Sequence, residues 1–263
     1  MLHLFWGFAP INEEPSVIKK CLKLLLAASS VIITVWIFAF ILLLPSWFSE
    51  KHVVNGHIIY SSNDVDSELL QDVLNVTKEK MKKSTIDIPE SLPTIYLHKN
   101  DIVFYLSTLV VPFNATAVYS AFYKTIHVRL NEESMYTDGI INQDWLSTVI
   151  AHQKTYSLQY ERYGILTYTL FTPKWIGEGY VRYVGYDHIP PDEDYVEWLK
   201  RVNTGESINK NFEYWVLVHH AIGEMGYSID ELHNGDVDRE LVEKSLLNWV
   251  EKKFKQEVKK AYS

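Results

Sequence analysis

The pattern of hydrophobic and polar positions separates one long apolar run from a mixed remainder. From Leu24 to Phe48 no charged residue occurs over 25 positions. A helix of that length rises roughly 37 Å at about 1.5 Å per residue, which exceeds the roughly 30 Å hydrocarbon core of a bilayer. The run therefore predicts a transmembrane helix over 24–48, with Trp47 and Phe48 at the membrane interface.

Lysines beside the apolar run predict its orientation. Lys19, Lys20 and Lys23 precede the run, whereas Lys51 follows it closely. The positive-inside rule then places residues 1–23 in the cytoplasm and the long C-terminal part outside, as a single-pass membrane protein. The alternative is a cleaved signal peptide, whose apolar core is about 7–15 residues long and ends at a small-residue cleavage site. This run is longer and lacks such a site, which favours an uncleaved signal anchor.

Shorter periodic segments in residues 50–263 predict one α+β domain. Apolar and β-branched runs predict strands over 57–60 and 94–97 and two more within 117–130. Helical periodicity predicts helices over 66–83, 101–109, 145–163, 192–202, 212–225 and 239–262, and one that begins at Thr172-Pro173. A strand-rich part, 56–142, followed by a helical part, 143–263, is typical of an α+β domain, here with a mixed sheet.

Composition and charge exclude several classes of protein. The single cysteine, Cys21, permits neither an internal disulfide nor a cysteine-based zinc ribbon. The first 49 residues hold three basic and two acidic side chains, which leaves 22 basic and 31 acidic in the remainder. The resulting net charge of −9, against −8 for the whole chain, disfavours nucleic acid as a partner. Asn75 and Asn114 begin N-glycosylation sequences, which matter only in a host that glycosylates.

Two segments carry candidate chemistry. His152-Gln-Lys-Thr-Tyr156 continues into Ser157-Leu-Gln159 within the predicted helix 145–163, and Trp175-Ile-Gly-Glu178-Gly179 follows in the next helix. Together they resemble the peptidase MA-like (gluzincin) zinc metallopeptidases, whose active helix carries H-E-x-x-H and whose downstream helix carries W-x-x-E-G. The resemblance covers about residues 56–250 and implies a zincin-like domain.

The resemblance assigns roles residue by residue. In the family motif, two histidines one helical turn apart and a glutamate from the second helix bind zinc, and the glutamate of H-E-x-x-H is the general base. His152 then matches the first metal ligand and Glu178 the third, with Trp175 and Gly179 as binding positions beside it. Tyr156 stands in place of the second histidine and Gln153 in place of the general base.

These departures predict a pseudopeptidase with no cofactor. An amide has no basic site in the useful pH range, and a phenol with a pKa near 10 is a poor substitute for imidazole. The first hypothesis is therefore an inactive extracytoplasmic module that binds or regulates a peptide or protein. Its cleft would hold an extended peptide against an edge strand. We expect the Tyr156 hydroxyl to fill part of the metal void and to bond to Glu178 or His152.

Two alternatives remain open at this stage. One is an active zinc-dependent metallopeptidase with an atypical site, in which Tyr156 or a further histidine completes the ligand set. The candidate histidines are His188, His219, His220 and His233. The other is a membrane-anchored structural protein whose match to the motifs is accidental, with His152 an ordinary core histidine. No nucleophile elbow, phosphate loop or dinucleotide fingerprint occurs, which removes the commoner hydrolase and nucleotide-binding classes.

Overall fold

The structure is a computed structural model that describes residues 15–42, 48, 50–61, 65–87, 92–108, 115–130, 136–137, 140–186, 192–204 and 209–254. The chain divides between Leu44 and Pro45 into two compact units. The predictions that concern Trp47, Asn114 and His188 lie outside the described residues.

The first unit contains helix α1, Pro15–Leu42. Its stretch Lys19–Ile37 is long and apolar enough to span a membrane, and none of its side chains is buried. The interfacial position predicted for Phe48 is wrong. That side chain is 7% exposed, and its ring centroid lies 5.0 Å from that of Tyr96 and 5.3 Å from that of His98. Phe48 therefore packs in the second unit.

A mixed five-stranded sheet begins the second unit, as the sequence predicts. The strands are β1 Glu50–Val54, β2 His57–Ser61, β3 Thr94–His98, β4 Ala117–Ser120 and β5 Thr125–Arg129. Their order is β1-β2-β3-β5-β4, with the two outer pairs antiparallel and the inner pairs parallel. Strand β1 was not predicted, although the positive φ angles of Asn55 and Gly56 form the Asn-Gly turn typical of a hairpin.

The remainder is mostly helical, which confirms the α+β class. Two short strands, β6 Tyr136–Thr137 and β7 Ile140–Ile141, form a separate ribbon. The helices are α2 Ser67–Met81, α3 Asp101–Thr108, α4 Gln143–Tyr163, α5 Ile165–Phe171, α6 Lys174–Gly185, α7 Asp192–Thr204, α8 Lys210–Gly223, α9 Ile229–His233 and α10 Arg239–Lys253.

The start predicted for α6 needs correction. The sequence favours Thr172 as N-cap and Pro173 as the first helical residue. Instead, Thr172 caps the C-terminus of α5, and Pro173 is the N-cap of α6, which begins at Lys174. Helix α5 itself was not predicted. Its seven residues carry no charge and bury none of their side chains, so they give no amphipathic signal of the kind that identifies core helices.

Helix α4 lies between two hydrophobic clusters. Leu146 and Ile150 pack with the sheet and α2, whereas Ala151 and Leu158 pack with the helical half. The Asn142 side chain accepts a hydrogen bond from the Trp145 amide, which caps the start of α4. The position of α4 between both clusters fixes its rotation, and hence which of its side chains face solvent or a cavity.

Helix α6 is tied to its neighbours by one tyrosine and one glycine. The fully buried Tyr180 hydroxyl lies 3.1 Å from Ser84 Oγ and accepts a hydrogen bond from the Thr85 amide. A Cβ at Gly179 would lie 2.4 Å from the Tyr214 carbonyl oxygen of α8. The missing side chain therefore permits the close packing of α6 on α8.

Candidate functional site

Helices α4 and α6 bring the two sequence segments to one cavity of about 760 Å³. His152 and Tyr156 lie one turn apart on α4, and Glu178 lies on α6. Gln153 lines the same cavity. The structure therefore places together the four positions that the resemblance assigns to metal binding and proton transfer.

The sheet supplies another wall of this cavity. Ala117, Val118 and Tyr119 of β4 line it. Strand β4 is at the edge of the described sheet, where it pairs with β5 alone. An edge strand presents backbone N–H and C=O groups that a further strand can pair with. The cavity thus combines side chains from two helices with the edge strand of the described sheet.

Tyr156 and Glu178 interact electrostatically within the cavity. Burial raises the pKa of Tyr156 far above its ordinary value, and the negative charge of Glu178 adds to the shift. The phenol is therefore neutral. A hydrogen bond from its hydroxyl to Glu178, one of the two contacts predicted from the sequence, stays a prediction.

His152 is neutral and partly exposed. Burial lowers its pKa to about 3, and the positive charge of Arg182 adds to the shift. Its ring lies 5.2 Å from the Tyr156 ring at an interplanar angle of 71°, an edge-to-face contact. A neutral imidazole in this position retains one nitrogen lone pair, so it can accept a hydrogen bond.

The residues between His152 and Tyr156 are divided between cavity and core. Gln153 is buried at the cavity wall, where its amide offers hydrogen bonds but no base. Lys154 points to the sheet side, with Nζ 3.3 Å from His57 Nε2, and burial lowers its pKa to about 8. The Thr155 hydroxyl donates to the Ala151 carbonyl.

Trp175 and Gly179, which the sequence predicts as binding positions, pack against the helical part of the domain. Trp175 is 5% exposed and belongs to the helical core. Gly179 faces α8, as described above, and neither residue lines the cavity. Within the W-x-x-E-G segment, Glu178 alone reaches the cavity.

The residues present do not fit a gluzincin zinc ion. Such a site needs three protein ligands. His152 and Glu178 supply two, and the third position holds a phenol that stays protonated, because burial and the charge of Glu178 raise the pKa of Tyr156 far above its ordinary value. Among the described residues, no group of three or more His, Cys, Asp or Glu side chains is arranged to hold a metal.

The other described histidines predicted as substitute ligands make separate contacts. His219 Nδ1 lies 3.0 Å from the Tyr195 hydroxyl, and His220 Nε2 lies 3.1 Å from Ser245 Oγ. His233 Nε2 lies 3.1 Å from Gln159 Oε1 and its ring stacks on Tyr163. None of the three lines the cavity.

Several cavity residues were not predicted as site residues. They are Tyr119, Tyr160, Tyr168, Arg182 and Tyr186. Helical spacing could have identified two of them, because Tyr160 follows Tyr156 by one turn and Arg182 follows Glu178 by one turn. The other three lie in β4, in the unpredicted α5 and at the end of α6. They reach the cavity only through the tertiary structure.

Comparison with known proteins gives no relative. No family model, no curated protein and no solved structure matches this chain.

Proposed function

We propose that residues 50–263 form a zincin-like, catalytically inactive module that binds a peptide or protein ligand in the cavity between α4, α6 and β4. The observation that carries the proposal is that Tyr156 of α4 and Glu178 of α6 line one cavity, close enough for the charge of Glu178 to raise the pKa of Tyr156. These are two of the positions at which a gluzincin would place zinc ligands, and here one of them holds a neutral phenol.

The position of β4 at the edge of the described sheet supports the type of ligand. Residues of β4 line the same cavity as His152 and Glu178. An extended peptide can add to such an edge as a further strand, gaining affinity from main-chain hydrogen bonds and specificity from side-chain pockets. The cavity is large enough to accept one or more of its side chains.

The loss of chemistry follows from two side chains. Gln153 cannot accept the proton of an attacking water, and absence of a general base typically costs about 10²–10⁴-fold in rate. The alternative, an active zinc peptidase, requires Tyr156 to lose its proton. The raised pKa of Tyr156 opposes that step.

The proposed location follows from the first unit. Helix α1 serves as a single-pass signal anchor, with residues 1–23 in the cytoplasm and residues 50–263 outside. The supporting features are the apolar stretch Lys19–Ile37 and the lysines concentrated on its N-terminal side.

The testing experiment restores the family motif by the double substitution Gln153→Glu with Tyr156→His. We expect the purified full chain to bind little zinc, and the double variant to bind about one zinc per chain, measured by elemental analysis. The matched control is Gln153→Glu with Tyr160→His, which has the same composition but a histidine displaced by one turn, and we expect it to bind little zinc.

Two results would contradict the proposal. A folded double variant without zinc, checked by circular dichroism, would remove the relation to metallopeptidases. Stoichiometric zinc in the unsubstituted chain, together with peptide hydrolysis that a chelator stops, would establish the active enzyme instead.

A further inference from the structure

One wall of the cavity is a continuous series of phenol rings. The Tyr156 and Tyr168 rings lie 6.4 Å apart at 85°, and the Tyr168 and Tyr160 rings lie 4.6 Å apart. Tyr119 continues the series, with its ring 5.9 Å from that of Tyr160. The Tyr156 and Tyr168 rings thus form a corner, whereas the Tyr168–Tyr160 and Tyr160–Tyr119 pairs are tilted at 60° and 31°. The series can therefore present aromatic surface to a ligand from more than one direction.

The wall is electrically suited to a cation. Burial raises the pKa of Tyr119 to about 12 and also raises the pKa values of Tyr160 and Tyr168, so the phenols are neutral. The faces of neutral aromatic rings carry partial negative charge and attract ammonium and guanidinium groups. Glu178 adds a negative charge beside the rings, and its two carboxylate oxygens can accept hydrogen bonds from a cationic group.

Arg182 shows that this cavity already accommodates a cation on a tyrosine. Its guanidinium carbon lies 5.7 Å from the Tyr186 ring centroid, and Nη1 donates to the Tyr186 hydroxyl at 3.0 Å. Its charge partly offsets that of Glu178, one turn away. Binding of a second cation therefore depends on the phenol rings as well as on the carboxylate.

We infer that the cavity recognises a cationic side chain, lysine or arginine, of the bound peptide, with Glu178 as counter-ion and the Tyr156, Tyr160 and Tyr168 rings as its walls. This inference rests on the proposed peptide-binding function and names the ligand class. Alternate side chains of a peptide paired with β4 point to one face of the sheet, so one such side chain can enter the cavity. The net charge of −9 on residues 50–263 attracts basic peptides at long range.

The experiment measures binding of blocked alanine peptides that differ in one central residue, which is lysine, norleucine or glutamate. Norleucine has a similar aliphatic chain without the charge. The full chain in detergent micelles is titrated against each dye-labelled peptide, with fluorescence polarisation as the readout. We expect the lysine peptide to bind about tenfold more tightly than the norleucine peptide, as cation–π and ion-pair contacts predict.

Variants locate the preference within the cavity. Glu178→Gln should abolish the tenfold preference for lysine over norleucine. Tyr168→Leu should reduce the preference by about threefold or more. Glu251→Gln, the same charge change on the exposed surface of α10, is the matched control and should keep the full preference.

The possible outcomes distinguish the inferred preference for a cation from the proposed peptide-binding function. Equal affinity for the lysine and norleucine peptides, or preference for the glutamate peptide, overturns the cation inference and leaves peptide binding in place. Binding of none of the three peptides overturns both. If Glu178→Gln fails to fold, as judged by circular dichroism, the comparison of lysine with norleucine on the unsubstituted chain still decides the question.

Discussion

Helices α4 and α6 each have a cavity side and a packed side, and the two sides are constrained differently. On the cavity side, Tyr156 and Glu178 interact electrostatically in a space of about 760 Å³. On the packed side, Trp175 and Gly179 are buried against other helices. Polar contacts on the cavity side can change while the fold persists, whereas the packed side tolerates little change in side-chain volume.

The packed side constrains the W-x-x-E-G segment at Gly179. A Cβ there would lie 2.4 Å from the Tyr214 carbonyl oxygen, which is a backbone atom. A Cβ at Gly177 would lie 2.5 Å from the Tyr168 hydroxyl, which is the far end of a side chain that can shift. Packing alone therefore accounts for glycine at position 179, without a bound metal.

The largest expected effect is on the packed side. Gly179→Ala should lower the free energy of unfolding by about 3 kcal/mol, because the new methyl group meets a backbone carbonyl that cannot rotate away. Gly223→Ala is the matched control, since a Cβ there meets its nearest atom at 3.6 Å. Its effect should stay within about 1 kcal/mol. Equal effects in urea unfolding of the full chain would contradict the assignment of Gly179 to packing.

A smaller effect is expected from the sheet that packs under α4. His98 Nε2 lies 2.9 Å from His127 Nδ1, and burial lowers the pKa of His98 from 6.5 to about 3. The unfolded chain binds a proton below pH 6.5 that the folded chain excludes, so stability falls as the pH decreases from 6.5 towards 3. His98 alone should account for about 2 kcal/mol at pH 5.

The measurement is the free energy of unfolding of the full chain at pH 7 and at pH 5. His98→Asn should reduce the difference between the two values, even if the variant is less stable at both. An unchanged difference would show that His98 is protonated in the folded protein and that the sheet interior is more polar than its packing indicates.

The smallest effect should come from the cavity side. Tyr156→Phe should cost about 1 kcal/mol, because it removes the hydrogen bond predicted to Glu178 and leaves the aromatic contacts. In a double-mutant cycle with Glu178→Gln, the two substitutions should show a coupling energy of about 0.5–1.5 kcal/mol. Strict additivity of the two changes would show that the hydroxyl and the carboxylate do not interact in solution.

Local signals account for most of what could be predicted from the sequence. The helices predicted over 145–163 and 192–202 agree within two residues with α4 and α7. The approach of Tyr156 and Glu178 to one cavity was also expected, because the family motif places these positions together. Each of these features depends on residues close in sequence or on a known spacing.

Features that depend on distant contacts could not be predicted in this way. Phe48 lies at the end of an apolar run, yet it packs on Tyr96 across the sheet. Tyr168 belongs to a short helix without a buried face and reaches the cavity because Gly177 leaves room for its hydroxyl. The aromatic wall therefore becomes visible only when α5 has been placed against α4 and α6.

The contacts of α6 also bear on the order of folding. Tyr180 bonds to Thr85, a separation of 95 residues along the chain, and Gly179 needs the backbone of Tyr214 beside it. Contacts between such distant residues form slowly, because a long loop must close before they gain stability. The cavity walls thus reach their final positions late in folding, after the segment that carries α8 has been synthesised and has docked.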